Sequence, residues 1–115
     1  MSKEVVIVSA ARTPIGSFMG SLSTVPAVQL GATAIKGAVE QAGIATDQID
    51  EVVMGCVLPA GLKQAPARQA ALGAGLAHST VCNTINKVCG SGMKSVMDIH
   101  DSLLAGSVNV AVAGG

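Results

Sequence analysis

Short apolar, β-branched runs alternate along the whole chain with segments of helical periodicity, and this alternation constrains the fold more than any other feature of the sequence. Residues 5–10 (VVIVSA) and 108–113 (VNVAVA) are near-continuous apolar runs of the kind found in strands covered on both faces. Residues 51–54 (EVVM) and 81–85 (VCNTI) are two further short strands. Between the first two runs, Val28, Ala32, Ile35, Val39 and Ala42 recur at spacings of four and three, the mark of one helix face. Thr24 is placed to cap that helix, Pro26 falls in its first turn, and Gly43 sits where a left-handed C-cap belongs. A second helix is predicted to open near Pro66 and close around residues 73–75, and a third to run from Gly90-Ser91-Gly92 through Leu104. The expected class is α/β, a βαβαβαβ layer with parallel strands and right-handed crossovers.

The 115 residues form one domain at most, and seven Lys+Arg against seven Asp+Glu create no field that would draw nucleic acid or an acidic membrane surface. No apolar run reaches the roughly 18 residues of a membrane span, and the start Met1-Ser2-Lys3-Glu4 opens no signal-like segment. On those grounds a soluble, untargeted, cytoplasmic protein is expected. Phe18 is the only aromatic residue, so the core must be Val, Ile, Leu, Ala and Met packed around fourteen glycines. Charged residues make up 12% of the chain, too few to coat a closed surface, and the last predicted strand runs directly into Gly114-Gly115. Both features predict a piece of a larger fold, completed by a partner, a second chain or further sequence. The third helix points the same way. Met93, Val96, Met97, His100, Leu103 and Leu104 share one stripe, while Ser91, Gly92, Ser95, Ser102 and Gly106 keep much of the rest small, as in a helix packed between two sheets.

Cys56, Cys82 and Cys89 match no CxxC redox or zinc pattern, and no metal site is predicted. Cys56 and Cys82 read as small buried hydrophobes. Cys89 follows a strand and precedes Gly90-Ser91-Gly92 at the start of the third helix, where unpaired N–H groups and the positive end of the helix dipole favour thiolate. Position alone leaves two readings open, a nucleophile or an inert thiol. Gly92-Met93-Lys94-Ser95 lacks the adjacent Gly-Lys of a phosphate-binding loop, and Gly73-Ala74-Gly75 reaches His78 where a dinucleotide fingerprint requires its third glycine. Neither histidine is an evident base for Cys89. His100 is three turns along the same helix, some ~16 Å of axial rise away, and His78 precedes the third strand.

The segments VIVSAARTPIG (6–16), QAPARQ (64–69), NKVCGSGMK (86–94) and AGG (113–115) resemble the amino-terminal part of the thiolases, collinearly and across residues 1–115. The likeness is greatest to acetyl-CoA acetyltransferases of the acetoacetyl-CoA thiolase type. It implies that Cys89 takes an acyl group from acyl-CoA as a thioester and passes it to the α-carbon of a second acetyl-CoA, or runs the reverse thiolysis of a 3-ketoacyl-CoA. CoA thioesters are then substrates, with no permanently bound cofactor, and the cofactor-binding residues stay unassigned. The resemblance also implies a layered fold in which a helix like the third lies between two sheets, and a dimer or tetramer with residues 82–85 at a subunit interface.

The family's other catalytic motifs, a Gly-His-Pro histidine, a Cys-x-Gly cysteine and an Asn-Glu-Ala-Phe-like asparagine, belong to its carboxyl-terminal half and do not occur here. The chain alone is therefore expected to be inactive. Cys56 stands where the family usually has Asn, Lys63 where it often has Gly, and Val81 where Pro is common. The competing reading is a noncatalytic structural or interaction module that keeps the fold.

Overall fold

The computed structural model describes residues 3–115; Met1 and Ser2, which belong to the start read above as opening no signal-like segment, lie outside the described residues. Its elements are α1 (Ala27–Ala42), β1 (Glu51–Gly55), α2 (Pro66–Gly73), β2 (Val81–Ile85), α3 (Ser91–Ala105) and β3 (Ala111–Gly114), with one 3-10 turn at Thr46–Gln48. The strands form a parallel sheet in the order β2-β1-β3. The class is α/β, as the alternation predicts.

Local chemistry sets the boundaries. Gly43 adopts φ 68° and closes α1, a left-handed turn that glycine enters without a Cβ clash, and Pro66 occupies the first turn of α2, where its missing N–H costs nothing. Thr24 does not cap α1. Pro26 holds the N-cap position in an extended conformation and no side chain completes the cap.

Period-two alternation divides the sheet into two faces. Val52, Cys82 and Val112 stand side by side across the three strands, and all three pack against the cluster that Ile35 and Val39 of α1 form with Ala70 and Ala71 of α2. The two helices approach closely because a Cβ on Gly31 would lie 3.1 Å from that of Ala70, and one on Gly73 would lie 3.1 Å from that of Ala32. Val53, the next residue along β1, is also buried and points to the other face, where α3 packs on β1 and β3.

Three expectations need correction. Residues 5–10 form no strand, and Val6, Ile7 and Val8 are 62%, 82% and 64% exposed. A β-branched run becomes a strand only where a neighbouring edge takes up its N–H and C=O groups, and an open groove separates this run from the β3 edge. β3 spans four residues and starts later than predicted, because the N–H groups of Asn109 and Val110 donate to Asp50 Oδ2 at 2.8 and 3.1 Å before the ladder begins. Helix α3 is covered on one side only. Ser91, Ser95 and Ile99 are buried, whereas Met93 and Met97 are 74% and 53% exposed, since the second sheet expected over them is not formed by this chain.

The two N–H donors hold the Asp50 carboxyl below its ordinary value. A depressed folded-state pKa contributes stability above the unfolded value, lost as pH falls through the folded one. Amide exchange at Asn109 and Val110 should therefore speed up as pH drops below about 4, after correction for intrinsic rates. Asp50→Ala should show the faster exchange already at neutral pH; unchanged protection in that variant would refute the latch.

Candidate active site around Cys89

The loop between β2 and α3 is built by two side chains. Asn86 Oδ1 accepts the N–H of Val88 at 2.9 Å, and Asn86 Nδ2 donates to the carbonyl of Val57 at 3.2 Å, tying this loop to the one after β1. Ser91 Oγ accepts the N–H of Lys87 at 2.8 Å and donates to the carbonyl of Val88 at 2.6 Å. Between them Val88 is held at φ 47°, a left-handed conformation that a β-branched residue rarely takes and that only surrounding bonds can enforce. The chain reverses there, and Cys89 emerges exposed immediately before α3.

The helix is seated by backbone-to-backbone approach. A Cβ on Gly55 would lie 2.7 Å from both the carbonyl carbon and the Cβ of Ser91, so β1 can end against the first turn of α3 only as glycine. A Cβ on Gly115 would lie 2.9 Å from Gly55 Cα and 3.0 Å from Gly92 Cα, so the end of β3 closes on the same point. Ser95 Oγ, fully buried, lies 2.6 Å from the carbonyl oxygen of Gly92 and 2.8 Å from that of Gly114. These contacts fix the amino-terminal end of a 15-residue helix that begins two residues after Cys89.

Neither histidine reaches this position. His100 is at the far end of α3, paired through Nδ1 with Asp101 Oδ1 at 3.2 Å. His78 precedes β2 while Cys89 follows it, and the five-residue strand between them separates the two by roughly 16 Å. Cys56 and Cys82 are half-buried rather than fully buried, and burial pushes the Cys82 thiol up. Sequence reading missed Asn86, Ser91 and the Val88 backbone. The one available signal was Asn two residues before the turn, a spacing suited to a side-chain-closed turn.

The family model described as "Thiolase, N-terminal domain" matches residues 5–115. The chain belongs to the thiolase family. It is 66% identical over 112 residues to the mitochondrial acetyl-CoA acetyltransferase of Xenopus tropicalis, a match covering 97% of this chain and 27% of that protein. It is 62% identical over 113 residues to the mitochondrial acetyl-CoA acetyltransferase of Homo sapiens, covering 98% of this chain and 26% of that one. The fold superposes with a TM-score of 0.95 on the Acat5 thiolase of Ascaris suum in complex with coenzyme A, at 40% sequence identity, over 96% of this chain and 29% of that structure. The chain thus spans about a quarter of the length of the relatives it matches. The relatives' names also overturn the cytoplasmic expectation, because they are mitochondrial proteins. A targeting address is read by receptors and leaves no trace in core packing, so composition could not reveal it.

Two measurements check this geometry. Iodoacetamide at neutral pH should modify Cys89 first and Cys82 last, with Cys82 catching up as pH rises toward its elevated pKa; modification of Cys82 ahead of Cys89 would contradict the burial described. Gly55→Ala should cost about 1–3 kcal/mol in urea denaturation through overpacking, and an unchanged midpoint would show that α3 does not need the close approach.

Proposed function

We propose that this chain carries the nucleophile of a thiolase that transfers acyl groups between CoA thioesters, Cys89 being the acyl acceptor. The observation that carries the proposal is the exposed Cys89 thiol at the start of α3, in a fold that superposes on a CoA-bound thiolase. Two relatives named acetyl-CoA acetyltransferase support acetyl-CoA as the substrate.

The Cys89 thiolate attacks the thioester carbonyl of acetyl-CoA, and the resulting oxyanion collapses to acetyl-Cys89 and CoA thiolate, which takes up the proton that Cys89 gave up. A second acetyl-CoA then loses an α-proton, and its carbanion attacks the acetyl-Cys89 carbonyl. The new carbon–carbon bond yields acetoacetyl-CoA, and the departing Cys89 sulfur regains a proton. The covalent intermediate divides one difficult condensation into two steps. In this reading the Cys89 backbone N–H helps hold the oxyanion, a contribution of about 3 kcal/mol when such a donor is pre-aligned. In reverse, the same atoms cleave a 3-ketoacyl-CoA by thiolysis. The groups that move the two protons come from the remaining part of the fold, because His78 and His100 are both out of reach. Assembly into a dimer is supported by the exposed edge strand β2, where Val81 is 56% exposed.

The test joins residues 1–115 to the segment of the Xenopus tropicalis protein that follows the matched region. Incubation with acetyl-CoA should add one acetyl group to Cys89, detected by peptide mass spectrometry, and release CoA. Cys89→Ser should lower CoA release by roughly 10³-fold or more. Undiminished turnover in that variant would overturn Cys89 as the nucleophile, and an unmodified Cys89 with no CoA release in the wild-type fusion would leave the noncatalytic module as the correct reading.

A further inference from the structure

The carboxyl ends of β1 and β2 lie side by side, and the loops that follow them meet at the end of the sheet where α/β proteins assemble their sites. The loop after β1 is firmly held. Gln69 of α2 donates through Nε2 to the carbonyls of Leu62 and Gln64, both at 2.7 Å, and the N–H of Ala67 donates to Thr84 Oγ1 of β2 at 2.9 Å. The Cys56 N–H donates to the Ile85 carbonyl at 2.9 Å, just past the last strand pair of Gly55 and Ile85. Beyond that point the Asn86 side chain joins the two loops. Its Nδ2 reaches back 29 residues to the Val57 carbonyl, and its Oδ1 holds the N–H of Val88, the residue before Cys89.

We propose that Asn86 is a positioning residue for Cys89: its carboxamide brackets the turn, holding Val88 left-handed at one end and anchoring it to the loop after β1 at the other, so that the sulfur meets a thioester carbonyl in one orientation. Three observations select Asn86. Its partners are a carbonyl and an N–H, and a carboxamide supplies the matching donor and acceptor from separate atoms, whereas a carboxylate of the same shape only accepts. Asn86 is exposed, so it fills no core space and its replacement opens no cavity. Ser91, the other support of the turn, is buried, and both its bonds stay local, to residues three and four positions away. The side-chain bond that carries the turn to a distant loop is therefore that of Asn86. Val88 at φ 47° persists only where its surroundings over-determine it, and the bracket supplies that constraint next to the thiol. The inference rests on Cys89 as the acyl acceptor, and it adds a group that acts through the turn rather than on the substrate.

Kinetics of the fusion to the Xenopus tropicalis segment test the bracket. Asn86→Ala loses both bonds, and Asn86→Asp keeps an acceptor for Val88 but turns an oxygen toward the Val57 carbonyl. Both variants should acetylate Cys89 at least ~10-fold more slowly than the unsubstituted fusion, because a small misplacement of a reacting atom is costly. The loss should fall on kcat, with KM for acetyl-CoA within about 3-fold. Iodoacetamide, a small reagent that needs no fixed approach, should still alkylate Cys89 within about 3-fold of the original rate, a result that a misfolded or covered site would not give. A second variant checks the hold on Val88. Glycine enters the left-handed region freely, so Asn86→Ala should lower the urea midpoint less in a Val88→Gly background than beside valine. That comparison is readable even if Asn86→Ala alone folds poorly. Equal midpoint losses in the two backgrounds, acetylation at the original rate in either Asn86 variant, a KM rise at unchanged kcat, or alkylation falling as far as acetylation would each overturn the bracket. If the unsubstituted fusion leaves Cys89 unacetylated, the acyl-acceptor reading fails and takes the bracket with it; normal acetylation there and in both variants removes Asn86 alone.

Discussion

The close approach of Gly55 to the first turn of α3 is the contact on which the rest of the arrangement depends. Backbone meets backbone there with no room for a Cβ, and Gly92 and Gly115 complete the same tight junction. Because β1 lies at the centre of the sheet, fixing α3 to its end also fixes α3 against β3, an attachment reinforced by the buried Ser95 hydroxyl between the Gly92 and Gly114 carbonyls. Cys89 is placed by this junction rather than by contacts of its own. It sits two residues before a helix that cannot shift without opening the glycine contact.

The turn before the helix is held by a second, smaller set of bonds. Val88 in a left-handed conformation is unfavourable by itself, and Asn86 and Ser91 offset that cost with hydrogen bonds to Lys87 and Val88 backbone groups. Asn86 also reaches Val57, so the loops after β1 and β2 are tied to each other. A thiol on such a turn is held from both sides, which suits the acyl-acceptor role proposed for Cys89.

Much of the molecule is visibly unfinished, and the distribution of exposure explains how. The α1–α2 side of the sheet has a well-formed core of Ile35, Val39, Val52 and small alanines. The α3 side is covered on one face, with Met93 and Met97 facing outward, and the β3 edge opens onto the groove. The chain spans about a quarter of the length of the thiolase relatives it matches.

The helices, the three paired strands, the α/β class and the place of Cys89 were legible in the sequence because local chemistry determines them. Alternating spacing fixes a helix face, Gly43 and Pro66 fix ends, and a cysteine between a strand and a glycine-rich helix start has one place in the fold. What only the tertiary structure decided depends on groups distant in the chain. Residues 5–10 have strand composition without a strand, because pairing needs an edge that sequence pattern cannot supply. Asp50 shortens β3 from 59 and 60 residues away. The strained Val88 turn is likewise invisible in composition, since only the assembled bonds of Asn86 and Ser91 make a left-handed valine tolerable.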